Sequence, residues 1–231
     1  MYFKITIYSF VFQLACLCST VMMAQGTYQL GTLTIVNASK TLKKDWSASF
    51  NFQSRQLYQQ GAFGGVKDKS FDYVLTDFTF IASKKISKIS RLAGGYLYRV
   101  RGDDVVHRTI QQLAITKRLK GYKLVHRLVT DQTFINRESP EFRLRYRWTT
   151  EIPFGGKANE SGKFYFKCHN EYVNSIQSAN YDLEVRLIPL IGCNLSDIHS
   201  LDVGLDYRVR SFLSGITQHI FWMNVNCSIG F

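Results

Sequence analysis

The 231-residue chain is poor in the features that mark most enzyme and scaffold classes. Of its five cysteines, Cys16 and Cys18 stand near the start, while Cys168, Cys193 and Cys227 are far apart with no C-x-x-C pair. A disulfide framework needs a denser, even set, so at most one bridge could form among the last three. The five histidines, at 107, 126, 169, 199 and 219, never pair at a spacing of three or four. Zinc-site spacing is therefore missing, and no metal is expected. Gly64-Gly65 and Gly94-Gly95 match neither G-x-G-x-x-G nor G-x-x-x-x-G-K-[ST], which leaves no phosphate-cradling loop and no expected cofactor. Paired glycines in a curved sheet suggest a bulge or kink instead. Prolines number only three, and no linker is visible. Past residue 25 there is no run of about 18 apolar residues, so no helix is expected to cross a membrane.

What is present begins with residues 1–25, which place Lys4 before an apolar stretch from Ile5 to about Cys18 and end on Ala24-Gln25. That order is expected of a secretory signal peptide cut after Ala24, leaving residues 25–231 as one domain. A membrane anchor would need a longer stretch. Lipoprotein processing at Cys16 would follow too short an apolar core.

The formal charge is +12, and Lys4 is the only charged side chain in the signal, so the remainder carries about +11. Soluble nucleic-acid binders share such an excess, but they gather it into a tail or a helix face. Here the cations are dispersed along alternating segments, and export removes the chain from nucleic acid.

The dominant pattern is two-residue alternation in segments of roughly ten to fifteen residues separated by short polar turns, as in a transmembrane β-strand. In Glu141 to Ile152, Phe142, Leu144, Tyr146 and Trp148 share one face while Arg143, Arg145 and Arg147 share the other. Leu201, Val203, Leu205, Tyr207 and Val209 likewise oppose Asp202, Gly204, Asp206 and Arg208. A soluble β-sandwich also alternates, but its strands average about five or six residues, and here Tyr and Trp recur toward strand ends where a membrane interface would want them. The last segment, His219 to Phe231, sets Phe221, Met223, Val225, Cys227, Ile229 and Phe231 on one face. A strand ending on an aromatic resembles the signal read by the outer-membrane assembly machinery, carried here by Phe221, Ile229 and Phe231.

The expected fold is all-β, a closed antiparallel transmembrane barrel of 10 to 12 strands in a Gram-negative outer membrane. The segments fall at about 29–42, 46–58, 70–86, 91–101, 105–118, 122–135, 140–154, 163–176, 181–195, 201–213 and 218–231. Eleven is odd, whereas single-chain bacterial barrels have even counts with both termini periplasmic. Either one strand is missed or the first segment is not a full crossing. The connections are short, which suits a barrel with modest loops and no large extracellular ligand.

Several short motifs invite a family comparison: Leu30-Gly31-Thr32, Lys44-Asp45-Trp46 with Arg55 nine residues on, Arg143 to Arg147, Asn170-Glu171, Tyr181 to Arg186 and the terminal Phe231. On these the chain resembles the domain-of-unknown-function 2490 family of exported proteins, found mostly in Bacteroidota, over nearly all of residues 25–231. It departs in having Leu33 after Thr32 where a tryptophan is often expected. The resemblance implies an architecture and no particular reaction.

In such a barrel the charged faces line the lumen, which would hold Arg55, Arg99, Arg101, Arg143, Arg145, Arg147, Glu171, Arg186, Asp206 and Arg208. The same charges turned to hydrocarbon would cost about 2–4 kcal/mol each for Arg or Lys near the midplane. They either fill the barrel as a ladder of ion pairs or form an anion-favouring passage for small solutes. The competing class is a lipid esterase or deacylase built from His126, His169 or His219 with Ser175 or Ser228. Nucleophilic catalysis needs a base bonded to the serine, and no G-x-S-x-G elbow occurs. No catalytic residue is assigned. Outer-membrane lipids are the expected surroundings, and nothing sets the oligomeric state.

Overall fold

The computed structural model describes residues 26–136, 138–155, 162–211, 213 and 216–231; the signal segment expected from the sequence, with its cut after Ala24, lies outside them. The described residues form eleven strands: β1 (Thr27–Thr41), β2 (Trp46–Ala62), β3 (Lys67–Lys85), β4 (Ser90–Arg101), β5 (Asp104–Leu119), β6 (Tyr122–Ile135), β7 (Glu141–Pro153), β8 (Phe164–Gln177), β9 (Asn180–Asn194), β10 (His199–Arg210) and β11 (Gln218–Gly230). Each neighbour in sequence is a neighbour in the sheet, and β1 joins β11 to close the barrel. Branched and aromatic residues at alternate positions favour extended backbone over helix, and the turns are tight. Gly102 (φ 57°) and Gly121 (φ 91°) serve two of the shortest hairpins, where left-handed backbone costs glycine nothing.

The odd count is real among the described residues. No strand is missing, and the first segment is a full crossing: Thr27 to Ser39 pair in register with Gln218 to Gly230. Because an odd number of alternating strands brings like-directed ends together, the β1–β11 seam is parallel while every other pair is antiparallel. Gly26 and Phe231 therefore lie at opposite rims. On the inner side the seam is stitched by amides, as Asn51 Nδ2 donates to Asn37 Oδ1 and Asn37 Nδ2 donates to Asn226 Oδ1 at 2.7 Å.

Register shifts occur at Leu30/Gly31, Arg55/Gln56 and Leu57/Gln59, all in β1 and β2. None falls at Gly94-Gly95, so the expected bulge is not there; Gly95 instead leaves room for Ile81, whose Cδ1 would clash with an added Cβ. Gly31 is enclosed as well, since a Cβ there would collide with the Gln56 carbonyl oxygen and meet the Trp222 ring at 2.5 Å. Overpacking of this kind costs about 1–3 kcal/mol. Gly31→Ala will accordingly lower the denaturant midpoint of the folded barrel, scored as loss of the fast-migrating unboiled band on a denaturing gel.

Burial in this sheet is the reverse of that in a water-soluble protein. Among the side chains most completely buried are Glu171, Asp131, Asp202 and Asp206, whereas Phe80 (58% exposed), Phe142 (57%) and Met223 (54%) stand open on the outer wall. Soluble domains keep most acids at the surface, and they rarely leave large apolar surface in one continuous face. The inner face is not wholly polar, however. Leu33, Leu57, Ile220 and Trp222 pack together across β1, β2 and β11, and Leu97, Ile110 and Val129 do so across β4, β5 and β6.

Candidate functional site: an arginine-lined lumen

Inward positions on β2 to β10 bring ten arginines to the wall of one cavity of about 420 Å³: Arg55, Arg99, Arg108, Arg127, Arg143, Arg145, Arg147, Arg186, Arg208 and Arg210. Only two carboxylates, Asp77 and Asp206, reach the same wall. Eight of the residues expected in the lumen, Arg55, Arg99, Arg143, Arg145, Arg147, Arg186, Asp206 and Arg208, line it. Glu171 stands behind them, fully enclosed by its ion pairs. Arg101 sits elsewhere, at the end of β4, paired with Asp104 at 3.3 Å on the exposed rim.

The arginines and acids form a chain of ion pairs across six strands. Asp131 on β6 receives Arg143 Nε at 2.6 Å, Arg145 Nε at 2.8 Å and Arg108 Nε at 3.5 Å. Glu171 on β8 then receives Arg147 at 2.9 Å, Arg186 at 3.0 Å and Arg145 at 3.8 Å. Arg186 continues to Glu184, which also takes Arg210 of β10 at 2.7 Å. Register explains the arrangement, because Arg208, Arg186, Glu171, Arg147 and Arg127 are direct cross-strand partners on β10 to β6. Two separate pairs complete the ring: Arg99 donates from Nε to Asp77 at 2.6 Å, and Arg208 donates from Nη2 to Asp206 at 2.7 Å.

Charge within this ring does not balance. Asp77, Asp131, Glu141, Glu171, Glu184 and Asp206 are its acids, six against ten arginines. Arg55 and Arg127 make no ion pair among the described residues. With the Gln53 carboxamide turned so that its oxygen faces the guanidinium, that oxygen accepts from Arg55 at 2.6 and 3.1 Å, and Arg55 lies within electrostatic range of Arg208, Arg99, Asp77 and Arg186. The buried Arg127 Nε, Arg147 Nε and Arg208 Nη1 donate to nothing. A buried cation without a counter-charge is costly, and these arginines leave the cavity wall with an excess of positive charge.

Sequence reasoning missed Asp77, Arg108, Arg127, Asp131, Glu184 and Arg210. The inner faces of their strands mix apolar and polar types, as in Leu75-Asp77-Thr79-Ile81 or Val129-Asp131-Thr133, which weakens alternation as a signal. A further inner cluster lies on β8, β10 and β11: Tyr165 O–H donates to Asp202 at 2.6 Å, with Lys167 Nζ at 2.8 Å and Asn226 Nδ2 at 2.9 Å.

The histidines considered for catalysis are bound elsewhere. His126 Nδ1 pairs with Tyr146 O–H at 2.7 Å, His219 Nδ1 with Tyr207 O–H at 2.8 Å, and His169 Nδ1 with Thr149 O–H at 2.7 Å. Ser175 donates to the Asp182 carbonyl at 3.5 Å. Cys168, Cys193 and Cys227 are all free thiols, so the one bridge allowed by sequence does not form.

A family model described as "Protein of unknown function (DUF2490)" matches residues 30–229. The chain belongs to the DUF2490 family. The match spans β1 to β11 and nearly all of the arginine ring's supporting sheet, so the family's unit is the whole barrel. No curated protein and no solved structure matches the sequence.

Proposed function

We propose that this DUF2490 protein is an outer-membrane β-barrel whose lumen takes up small anions and passes them across the membrane. The observation that carries the reading is the ring of ten arginines around one cavity with six acids paired to them. Arginine is the residue of choice for carboxylate and phosphate groups because its planar fork offers paired donors. The size of the passage follows from the strand count: about 8 strands are filled by side chains and 16 leave an open channel. Eleven strands with a lumen bridged by ion pairs suit an ion of phosphate or small-carboxylate size.

Membrane residence is supported by the outer wall of exposed aromatic and aliphatic side chains and by the inward placement of the buried charges Asp77, Asp131, Glu171 and Arg208. Phe231 is exposed beyond β11, with Phe221 and Ile229 on that strand, an arrangement suited to capture by the barrel-assembly machinery. With that end in the periplasm, the turns after β1, β3, β5, β7 and β9 are periplasmic as well.

The test begins by fractionating the envelope and comparing unboiled and boiled mobility, then reconstituting the protein in planar bilayers. The expected result is a heat-shifted outer-membrane band and a small conductance whose reversal potential under a salt gradient favours anions. Conductance equal to that of bare lipid would leave a structural barrel with a filled lumen and remove the transport reading.

A further inference from the structure

One sector of the outer wall is polar. Gln111, midway along β5, and Gln132 on β6 form a reciprocal amide pair: Gln111 Nε2 donates to Gln132 Oε1 at 3.3 Å, and Gln132 Nε2 donates to Gln111 Oε1 at 3.2 Å. Thr130 O–H donates to the Gln111 oxygen at 3.0 Å, and Thr109 O–H donates to the Gln132 oxygen. All four residues face outward, since their neighbours Arg108, Ile110, Asp131 and Thr133 are the buried, inward ones. Other stretches of the outer wall are apolar, such as Phe78 and Phe80 on β3 and Val203, Leu205 and Met223 on β10 and β11.

The hydrogen-bond count of this group is incomplete in a specific way. A carboxamide carries two N–H donors and each hydroxyl can both donate and accept. Each glutamine oxygen already holds two bonds, so one N–H of each glutamine is left over, and each threonine hydroxyl has unused lone pairs. Hydrocarbon offers no acceptor for those N–H groups. Water would satisfy them if this wall were not in lipid, so the need for a protein partner rests on the membrane residence proposed for the barrel. Gly94 pairs with Gln111 on the neighbouring strand, and a Cβ there would have no contact nearer than 3.9 Å, leaving a notch in the wall beside the amides.

We infer that this face binds a second copy of the chain, packed about a two-fold axis through the Gln111–Gln132 pair. A two-fold contact presents the same patch from both sides. Each copy then contributes two spare N–H donors and two hydroxyl acceptors, so the donors of one meet the threonine oxygens of the other with none unmatched. The notch at Gly94 lets the two walls approach closely enough for those bonds, as small residues do between membrane helices.

Two measurements test this. The first replaces Leu128, exposed on β6 two residues from Thr130, by p-benzoyl-phenylalanine in the full-length protein and irradiates intact membranes, with the same replacement at Met223 as the control wall. A product of twice the monomer mass from position 128 and not from 223 is expected. The second compares Gln111→Leu/Gln132→Leu with the parent by light scattering in mild detergent. The double variant should keep its heat-shifted band and fall from dimer to monomer mass. No product at 128, equal products at both positions, or a dimer that survives both leucines would overturn the contact while leaving an outer-membrane barrel in place. Recovery of the parent as a soluble protein would overturn the membrane reading itself, and the contact with it.

Discussion

Replacing Glu171 by glutamine is expected to cost the barrel about 3–5 kcal/mol, the loss found when one partner of a buried ion pair is removed and the other stays charged. Glu171 is the joint of the ion-pair chain, holding Arg145, Arg147 and Arg186 at 3.8, 2.9 and 3.0 Å with almost no exposure of its own. Glutamine keeps the volume and one acceptor oxygen but removes the charge, so three cations lose their shared counter-ion in a ring already short of acids. The measurement is the urea midpoint of the refolded protein in detergent or lipid. Glu138→Gln, on the exposed β6–β7 turn, provides the comparison and should move stability by no more than about 0.5 kcal/mol. Adding Arg147→Met to the Glu171→Gln protein should recover part of the loss, because it takes away one of the cations left without a partner. A double-mutant cycle over Glu171 and Arg147 measures that coupling directly. Additive effects would mean that the pair is held apart by water.

The second large effect is on ion preference. Arg55→Glu with Arg127→Glu changes the lumen by four charges at the two arginines that have no ion pair to break. At about 8 Å in water each unit charge contributes roughly 0.5 kcal/mol before screening. Four such changes make about 2 kcal/mol against an anion and as much in favour of a cation. The anion-over-cation permeability ratio should therefore fall by about a thousandfold before screening, and by progressively less as salt is raised and screening shortens their reach. The readout is the reversal potential under a salt gradient in planar bilayers. A preference unchanged by both substitutions would place the passage of ions outside the arginine ring. The stability of the same variant is informative too. Arg55 is buried among Arg99, Arg186 and Arg208, so relieving like-charge repulsion should offset much of the cost of altering it.

These two predictions draw on parts of the molecule that differed in how openly they were written. The Arg143-Leu144-Arg145-Tyr146-Arg147 run on β7 alternates without interruption, so both its inner and its outer face could be read from spacing alone. Arg108 and Arg127 could not. Their strands carry Val106, Ile110 and Val125 on the inner face and His107, Gln111 and His126 on the outer, so polarity does not separate the two sides. The same mixing concealed the outward Gln111–Gln132 pair, because a glutamine in a strand is expected to face water or a lumen. Acid placement was equally hidden. Asp131 is near Arg143 and Arg145 only because β6 and β7 pair in one particular register, which places Asp131 opposite Arg143.

Composition and period were enough to determine an all-β chain of eleven long alternating strands with short turns, because the two-residue period of a strand is a local property written in consecutive residues. Strand ends, the abundance of lumen charge and the absence of metal-site spacing come from the same local rules. How the sheet closes is not local. Whether β1 completes the wall, and in which direction it meets β11, depends on contacts between residues at opposite ends of the chain. The structure resolves them as a parallel seam. The balance of ten arginines against six acids is likewise a property of the closed ring, since most pairs are set by register across strands and by the width of the lumen. Sequence spacing carries no information about either until the barrel has formed.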